Sequence, residues 1–314
     1  MNNVQIKHIE FSLGGKKEKY LDLSIDNPSW DTKRILDVTG IKTRHLSKNE
    51  DIISLSIKSA KKVLKKFPKK KIDFLIFVSQ TSNLKLPSIS CVMQHRLGLR
   101  NNIQAFDINM GCSGFIYALS VAKSMISQKG VTNGMIICSD VYTKYIKKNN
   151  TSCRPIFSDA SSSIIVGKCS SLSINDFDYG TDGSGAFDLY LKEGDKDIYM
   201  NGSKVALFTI KRIPNSVKRL LNKNKIKLEK IDKFIFHQAS KFVLNQIYRI
   251  LKIHKKKIYE NYEKYGNTVS SSIPIALKEA STKNLLKKDD NIILCGFGVG
   301  LSWSTVLIKW KKIV

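Results

Sequence analysis

The sequence has 314 residues, of which 42% are hydrophobic, and its 53 Lys and Arg against 26 Asp and Glu give a formal net charge of +27. This composition indicates a soluble globular protein: the weakly polar stretch 292–303 is too short to span a membrane, and residues 1–15 lack the apolar core of a signal peptide. We therefore expect a cytoplasmic protein, and no helix-turn-helix, zinc knuckle or aromatic-basic platform accompanies the charge to indicate nucleic acid as its partner.

Apolar strands and amphipathic helices alternate along the chain, with no low-complexity linker between them. The pattern predicts a helix at 51–67, a strand at 72–79, a helix at 88–97, a strand at 104–108, a helix at 113–129 and a strand at 134–139. Further along it predicts a strand at 231–237, helices at 241–251 and 272–284, and a strand at 291–296. This alternation is typical of an α/β fold, and the second half repeats the order of the first.

One cysteine stands at a predicted junction between a strand and a helix. Cys112 follows an apolar run that breaks at Gly111, and the apolar residues after it recur at helical spacing. The unpaired N–H groups and the dipole at a helix N-terminus favour thiolate over thiol, which is the reactive form. Cysteine is also a common buried residue, so the position alone leaves a structural role open.

The six cysteines, at positions 91, 112, 138, 153, 169 and 295, form no C-x-x-C pair and have no closely spaced histidine partners. The sequence therefore predicts neither a metal site nor a disulfide framework. Free thiols suit a reducing compartment, in agreement with the cytoplasmic location expected above.

Two polar side chains occupy similar junctions in the second half of the chain. His237 ends an apolar strand, and Asn267 lies in a Gly-Asn-Thr turn ahead of a predicted helix. Taken singly, His237 could be a satisfied core histidine and Asn267 a turn residue that tolerates left-handed geometry. A cysteine, a histidine and an asparagine at distant strand-to-helix junctions are also how a nucleophile and its polar partners are commonly assembled.

Four segments carry a resemblance to a known family: Asn-Met-Gly-Cys-Ser-Gly at 109–114, His-Gln-Ala at 237–239, Tyr-Gly-Asn-Thr at 265–268 and the glycine-rich 296–303. In their order and spacing they resemble the landmarks of β-ketoacyl-acyl-carrier-protein synthase III, with further matches at 39–41, 140–141, 157–159 and 182–186. The resemblance runs over nearly the whole chain. It implies a thiolase-like fold of five layers, αβαβα, built from two similar α/β halves: residues 1–170 with the cysteine and residues 171–314 with the histidine and asparagine.

The resemblance also implies decarboxylative condensation of an acyl thioester with malonyl-acyl-carrier protein, in fatty acid or specialised acyl-chain biosynthesis. Cys112 would carry the acyl group, and the backbone N–H groups of Cys112 and Val299 would stabilise the tetrahedral oxyanion. A neutral His237 and the amide of Asn267 would stabilise the enolate that decarboxylation generates. No metal or redox cofactor is needed beside the coenzyme A or carrier-protein thioesters.

The segment after His237 departs from the family's pattern. The family continues with an asparagine and, two residues further on, an arginine that meets the carrier protein, whereas this chain has Ser240 and Phe242. Because runs of lysine can attract an acidic protein, we assign carrier-protein contact to Lys241, Lys255, Lys256 and Lys257. Lysine scattered over solvated faces would explain the same charge without any partner.

Two positions that contact coenzyme A in the family also differ. Arg34 stands where a tryptophan is usual, with Trp30 further back, and Thr151 stands where an arginine is usual, with Arg154 nearby. Arg34 and Arg154 are therefore the candidates for coenzyme A contact. The departures leave open whether the acyl donor is a coenzyme A or a carrier-protein thioester.

The resemblance further implies a homodimer. In the family, a residue just before a proline caps the acyl pocket of the partner, and here that residue is Leu86. An unbranched Cβ at this place would admit a different acyl shape from the bulky aromatic residues of some relatives. Together with the departures above, this favours a specialised paralogue over the housekeeping chain initiator.

Two other functions remain open from the sequence. A non-condensing acyltransferase on the same scaffold would move an acyl group from Cys112 to a hydroxyl or an amine. That alternative is less favoured because His237 and Asn267, which serve decarboxylation, are both present. A remote alternative, suggested by charge alone, is a basic nucleic-acid-binding protein.

Overall fold

The computed structural model describes residues 3–171 and 173–311. In the first part of the chain the strands are β1 (Asn3–Leu13), β2 (Lys16–Lys19), β3 (Thr43–Leu46), β4 (Phe74–Val78), β5 (Gln104–Ile108), β6 (Asn133–Asp140) and β7 (Ala160–Cys169). The helices between them are α1 (Leu23–Asp26), α2 (Thr32–Thr39), α3 (Ile52–Leu64), α4 (Ile89–Leu97) and α5 (Gly114–Ile126).

In the second part of the chain the strands are β8 (Ile174–Thr181), β9 (Leu189–Tyr190), β10 (Tyr199–Met200), β11 (Lys233–Phe236), β12 (Asn291–Gly298) and β13 (Ser302–Lys309). The helices are α6 (Gly202–Lys223), α7 (Lys241–Leu251), α8 (Tyr262–Tyr265) and α9 (Ser272–Thr282). None of the helices within residues 3–171 and 173–311 combines the length and apolar character that crossing a membrane requires.

Two mixed sheets form the centre of the molecule. The first has the strand order β1-β7-β6-β4-β5, in which β4 lies parallel to β5 and β6, while β7 is antiparallel to β1 and β6. The helices α4 and α5 provide the crossovers that parallel neighbours require. The second sheet has the order β11-β12-β13-β8, with β11 parallel to β12 and the other pairs antiparallel.

Buried apolar side chains arrange these elements in five layers. The helices α3 and α4 cover the outer face of the first sheet, and α6 and α7 cover the outer face of the second. Between the sheets lie α5 and α9, whose apolar side chains contact both. The αβαβα order predicted from the resemblance is confirmed.

The predicted elements agree with the observed ones to within three residues at each end, and β5 and α7 have the predicted bounds. The pattern gave no prediction for several further elements, among them β1, β7, β8, β13, α2 and α6. The strand β7 begins with serines that are buried and hydrogen-bond to Ser59 of α3, so their polarity concealed a core strand. The helix α6 contains Pro214, which ordinarily indicates the end of a helix.

The two halves are closely joined. The strands of the first sheet all lie within 3–169 and those of the second within 174–309, which supports the predicted division between residues 170 and 171; the division itself stays a prediction. The helix α9, from the second half, contacts β1 of the first, and Lys278 pairs with Glu10 at 2.8 Å.

A group of buried serines, which we call the serine seam, joins the halves beside Cys112. Its members are Ser113, Ser162, Ser271, Ser302 and Ser304. The hydroxyls of Ser113 and Ser302 lie 2.8 Å apart, and Ser304 Oγ donates to the carbonyl oxygen of Ser113 at 2.9 Å. Ser162 Oγ donates to Ser271 Oγ at 3.2 Å. The backbone around the nucleophile is thereby held against the second sheet.

Candidate active site

Cys112 lies in the turn between β5 and α5, two residues before the helix begins at Gly114. Its side chain is buried, with 5% exposed. The end of β12 approaches it so closely that a Cβ at Gly298 would lie 3.1 Å from Cys112 Sγ. Glycine at 298 therefore lets backbone, and not a side chain, lie against the sulfur.

Burial raises the pKa of the Cys112 thiol well above its ordinary value, and the nearby carboxylate of Asp140 raises it further. The backbone N–H of Cys112 lowers the pKa of the thiol, but by less than burial raises it. The expectation that the helix N-terminus favours thiolate is therefore wrong for the resting protein, because loss of water disfavours the anion more than the partial charge of a helix end favours it. The thiol must lose its proton during acyl transfer.

His237 follows directly after β11, and its backbone N–H donates to the carbonyl oxygen of Cys295 at 2.8 Å. Its ring is buried, edge-on to Phe297 with ring centroids 5.4 Å apart. Nδ1 lies 2.7 Å from the hydroxyl of Ser272, the first residue of α9. When that hydroxyl donates to Nδ1, the neutral ring carries its proton on Nε2. Nε2 is then the nitrogen that can donate to a substrate oxygen.

Burial lowers the pKa of His237 from 6.5 to about 3. The ring is therefore neutral in the folded protein at physiological pH, in agreement with the neutral histidine expected from the sequence. A neutral ring can donate a hydrogen bond to a developing anion, but it is a weak base towards the protonated thiol of Cys112.

We expect the low pKa of His237 to appear in the pH dependence of stability. The unfolded chain binds a proton at this residue below pH 6.5 and the folded chain does so only below about 3, so stability falls as the pH decreases through this window. Relative to His237→Gln, which lacks the group, the wild type should lose about 3 kcal/mol between pH 7 and pH 4. Urea titrations of both proteins measure the difference. A difference that does not change with pH would contradict the buried neutral state.

Asn267 lies in the loop before α9. Its backbone forms a parallel bridge with the segment around Phe157: its N–H donates to Ile156 O at 3.0 Å, and its carbonyl accepts from Ser158 N–H at 2.8 Å. Its side-chain Oδ1 accepts from Val269 N–H at 2.9 Å. With Oδ1 engaged, the amide Nδ2 is the group that remains to donate to a substrate.

The predicted oxyanion hole consists of the backbone N–H groups of Cys112 and Val299. Val299 directly follows Gly298, the residue that contacts the sulfur, and its carbonyl accepts from Ser302 Oγ at 2.8 Å. Within residues 3–171 and 173–311, neither of the two N–H groups donates a hydrogen bond to another residue. Two free donors beside the nucleophile are what a tetrahedral oxyanion requires.

One cavity of about 310 Å³ brings Cys112, His237 and Asn267 together from separate parts of the chain. Phe297 and Gly298 lie beside them on its wall. The same cavity extends to half-exposed Val38 and Phe242, on α2 and α7, so it connects the sulfur with the surface.

Sequence reasoning missed the groups that hold these side chains. Asp140, at the end of β6, is completely buried and accepts hydrogen bonds from Gln80 N–H at 2.9 Å and from the hydroxyl and N–H of Ser270. Burial raises its pKa to about 6. Between Asn267 and Ser270 lies Val269 with φ of +51°, a strained value for a β-branched residue. Asp140 therefore links the first half to the turn that carries Asn267.

The four predicted carrier-protein lysines do not form one surface. Lys241 is exposed at the first residue of α7, beside Phe242 at the mouth of the cavity. The run Lys255–Lys257 follows the other end of α7 and contacts the start of β11, opposite the end that carries His237. There Lys257 Nζ donates to the carbonyl of Ile231 at 2.8 Å, so this lysine has a structural contact.

The two arginines that were predicted to contact coenzyme A, Arg34 and Arg154, lie in different surroundings. Arg34 lines an outer hollow of about 530 Å³ together with Trp30 and Thr151, and this hollow shares Val38 with the cavity of Cys112. Trp30 thus lies near the entrance although it is out of register in the sequence.

Arg154 is buried, with 6% exposed, and pairs with Glu18 at 3.2 Å and Asp26 at 2.6 Å. A guanidinium between two carboxylates is not available to a coenzyme, so the prediction that Arg154 contacts coenzyme A is wrong. Its place in the sequence gave no sign of these partners, because Glu18 and Asp26 lie more than a hundred residues away.

Leu86 lies in a loop and is 87% exposed. It lines neither the cavity of Cys112 nor the neighbouring hollows of its own chain. The preceding Lys85 forms an ion pair with Glu193. An exposed leucine is free to contact another molecule, and the contact of Leu86 with an acyl pocket stays a prediction.

Two sheets that enclose a pair of helices, with a buried cysteine ahead of one helix and an asparagine ahead of the other, define the thiolase-like class of acyltransferases. Residues 106–183 match the family model described as 3-oxoacyl-[acyl-carrier-protein (ACP)] synthase III, and residues 221–310 match the model of its C-terminal part. The chain belongs to the 3-oxoacyl-acyl-carrier-protein synthase III family and is an acyltransferase.

Individual relatives agree with this assignment. The beta-ketoacyl-[acyl-carrier-protein] synthase III of Clostridium novyi (strain NT) is 34% identical over 294 residues, which cover 89% of this chain and 90% of the relative. A crystal structure of a 3-oxoacyl-(acyl-carrier-protein) synthase III matches with a TM-score of 0.94 at 31% identity, covering 98% of this chain and 100% of that one. The enzyme of the same name from Aquifex aeolicus VF5 matches with a TM-score of 0.93 at 28% identity, with coverage of 98% and 100%.

Proposed function

We propose that the chain catalyses the decarboxylative condensation of an acyl thioester, held on Cys112, with malonyl-acyl-carrier protein. The observation that carries the proposal is the single cavity in which a buried thiol faces a neutral His237 and the free amide of Asn267. Two neutral donors beside the nucleophile suit a reaction that passes through an enolate, because they stabilise an anion without themselves changing charge.

In the first half-reaction Cys112 Sγ attacks the carbonyl carbon of the acyl thioester. The oxyanion forms next to the free N–H groups of Cys112 and Val299, which are held by the backbone and need no reorganisation. As the intermediate collapses, the carbon–sulfur bond of the donor breaks. The released thiol leaves with the proton that Cys112 gives up, and the acyl group remains on the enzyme.

In the second half-reaction the malonyl thioester loses carbon dioxide. The electron pair of the broken bond forms an enolate, whose oxygen accepts hydrogen bonds from His237 Nε2 and Asn267 Nδ2. The enolate carbon then attacks the acyl-cysteine carbonyl, and Cys112 leaves as a thiolate that regains a proton from solvent. The product is a β-ketoacyl thioester on the carrier protein.

The competing function is acyl transfer from Cys112 to a hydroxyl or an amine without formation of a carbon–carbon bond. That reaction uses the nucleophile and the oxyanion hole but has no step for His237 and Asn267 together. Protein loaded with an acyl group on Cys112 and then mixed with malonyl-carrier protein distinguishes the two. Release of carbon dioxide with a β-ketoacyl product supports condensation, whereas a stable acyl-enzyme that is discharged only by alcohols or amines overturns it.

An acyl donor reaches Cys112 in this proposal through the channel between Val38 and Phe242. The outer hollow with Trp30 and Arg34 supports a coenzyme A thioester as one such donor, because a planar ring and a guanidinium suit a nucleotide. We propose in addition a homodimer in which Leu86 contacts the partner's acyl pocket, and a cytoplasmic location, which suits the free cysteines.

The carrier protein is proposed to dock at the mouth of this channel, next to Lys241. We expect Lys241→Ala to raise KM for malonyl-carrier protein about two- to fivefold at low ionic strength, with kcat nearly unchanged, since an exposed charge acts mainly on association. The effect should shrink at 1 M salt, where the Debye length falls to about 3 Å.

Lys256→Ala is the matched control, because Lys256 is also exposed but lies beyond the far end of α7. Steady-state kinetics with both variants measure the difference. Equal KM values for the two variants would contradict docking of the carrier protein at the mouth of the channel.

A further inference from the structure

A second cavity of about 340 Å³ adjoins the cavity that contains Cys112. It is lined by Gln80, Thr81, Asn109, Tyr142, Leu189 and Tyr190, among others. Leu189 belongs to the walls of both cavities, and Tyr142 and Leu189 pack in the same apolar cluster as Cys112. The second cavity is therefore within reach of an acyl chain that extends from Cys112 past Leu189.

The wall of this cavity contains a fixed glutamine. The backbone N–H of Gln80 donates to the buried Asp140 carboxylate at 2.9 Å, and its side-chain Oε1 accepts from the hydroxyl of Tyr142 at 2.9 Å. The carboxamide lies against the residue before the nucleophile, since a Cβ at Gly111 would be 2.4 Å from Gln80 Oε1. The side chain is thus held at both ends and directed beside Cys112.

One group of this glutamine is left without a partner. Oε1 is engaged by Tyr142, whereas the Nε2 amide group makes no hydrogen bond in the described part of the chain. Tyr142 is 6% exposed, packs against Phe157 in a tilted arrangement with ring centroids 5.0 Å apart, and donates its hydroxyl hydrogen to Gln80. The cavity therefore offers the Gln80 amide as a donor without a protein partner, beside the N–H of Val299 and the exposed carboxamide of Asn109, which line the same cavity.

A free donor in such a place discriminates between acyl groups. An alkyl chain that fills the cavity removes water from Nε2 and leaves the donor unsatisfied, which disfavours its binding. An acyl chain with an oxygen at the right place supplies an acceptor and avoids that penalty. A carboxylate is less suited than a neutral oxygen, because Asp140 lies directly behind Gln80.

We propose that Gln80, fixed by Tyr142, is a specificity-determining residue that selects an acyl group bearing a neutral oxygen substituent, a hydroxyl or a keto oxygen, over the alkyl group of the same shape. The inference rests on the proposed function, because it concerns the acyl group that Cys112 accepts. On this inference, the polar groups of the second cavity serve to select the acyl group that Cys112 accepts.

The test measures single-turnover acylation of Cys112 by pairs of coenzyme A thioesters that differ only by hydroxyl against methyl. The pairs are 3-hydroxybutyryl with 3-methylbutyryl, and 4-hydroxybutyryl with pentanoyl. In at least one pair the wild type should acylate faster with the hydroxyl member, by about tenfold, which corresponds to about 1.4 kcal/mol.

Gln80→Met keeps the length of the side chain and removes the donor, so it should bring the hydroxyl-to-methyl ratio close to one while acylation by the methyl member continues. Tyr142→Phe releases the carboxamide and should reduce the ratio in part, which keeps the test available if Gln80→Met does not fold. A wild-type preference for the methyl member in both pairs, or a ratio that both variants leave unchanged, overturns the inference alone. Absence of acylation by every thioester overturns the proposed function and the inference with it.

Discussion

Replacement of Cys112 by alanine is expected to abolish acyl-enzyme formation completely. Cys112 is the only cysteine among the described residues that line the cavity, and the oxyanion donors lie next to its sulfur. Intact-mass spectrometry after incubation with acyl thioesters measures the adduct directly. Because the side chain is small, the variant should fold, with a change in the free energy of unfolding of about 1 kcal/mol.

The matched control is Cys153→Ala. Cys153 is buried in the same apolar cluster, and burial raises its pKa to about 12, but its thiol contacts the carbonyl of Ile198. This variant should form the adduct as the wild type does. An adduct that persists in Cys112→Ala and maps to another cysteine would contradict the assignment of the nucleophile.

The variants His237→Ala and Asn267→Ala are each expected to slow decarboxylation about 10²- to 10³-fold, the usual effect of removing one preorganised oxyanion donor. Acylation of Cys112 should change far less, because its oxyanion is bound by backbone N–H groups that these substitutions leave in place. Release of labelled carbon dioxide measures the first reaction, and single-turnover mass spectrometry measures the second.

His254→Ala is the control for these variants, since His254 is an exposed histidine at the far end of α7. It should leave both rates unchanged. If acylation fell as far as decarboxylation in both active-site variants, the separate roles proposed for the two pairs of donors would be wrong.

The local pattern of the sequence was sufficient for the positions of the main site residues. Cys112 and His237 stand at junctions where a strand ends, as the α/β order predicts, but they follow β5 of the first sheet and β11 of the second. Their shared cavity therefore depends on how the two sheets pack around α5 and α9, which the local pattern does not reveal. The helix α7 has the predicted bounds because its apolar residues repeat at helical spacing between clear ends.

Charge and ionisation could not be predicted in the same way. The sign of the Cys112 pKa shift depends on burial, which the helix N-terminus alone does not reveal. Arg154 looked available because its two carboxylate partners are distant in sequence. The bond between Gln80 and Tyr142 likewise joins residues that are 62 positions apart, and neither residue has a local signal that indicates the other.

The serine seam has a consequence for how the molecule denatures. Ser113, next to the nucleophile, is hydrogen-bonded to both Ser302 and Ser304 of β13, and the core between the sheets includes side chains from both halves. The groups that surround the Cys112 sulfur come from both halves, so unfolding of either half removes some of them. Heat or urea should therefore remove catalytic competence and native secondary structure in one cooperative transition, without a partly folded form that retains half of the chemistry.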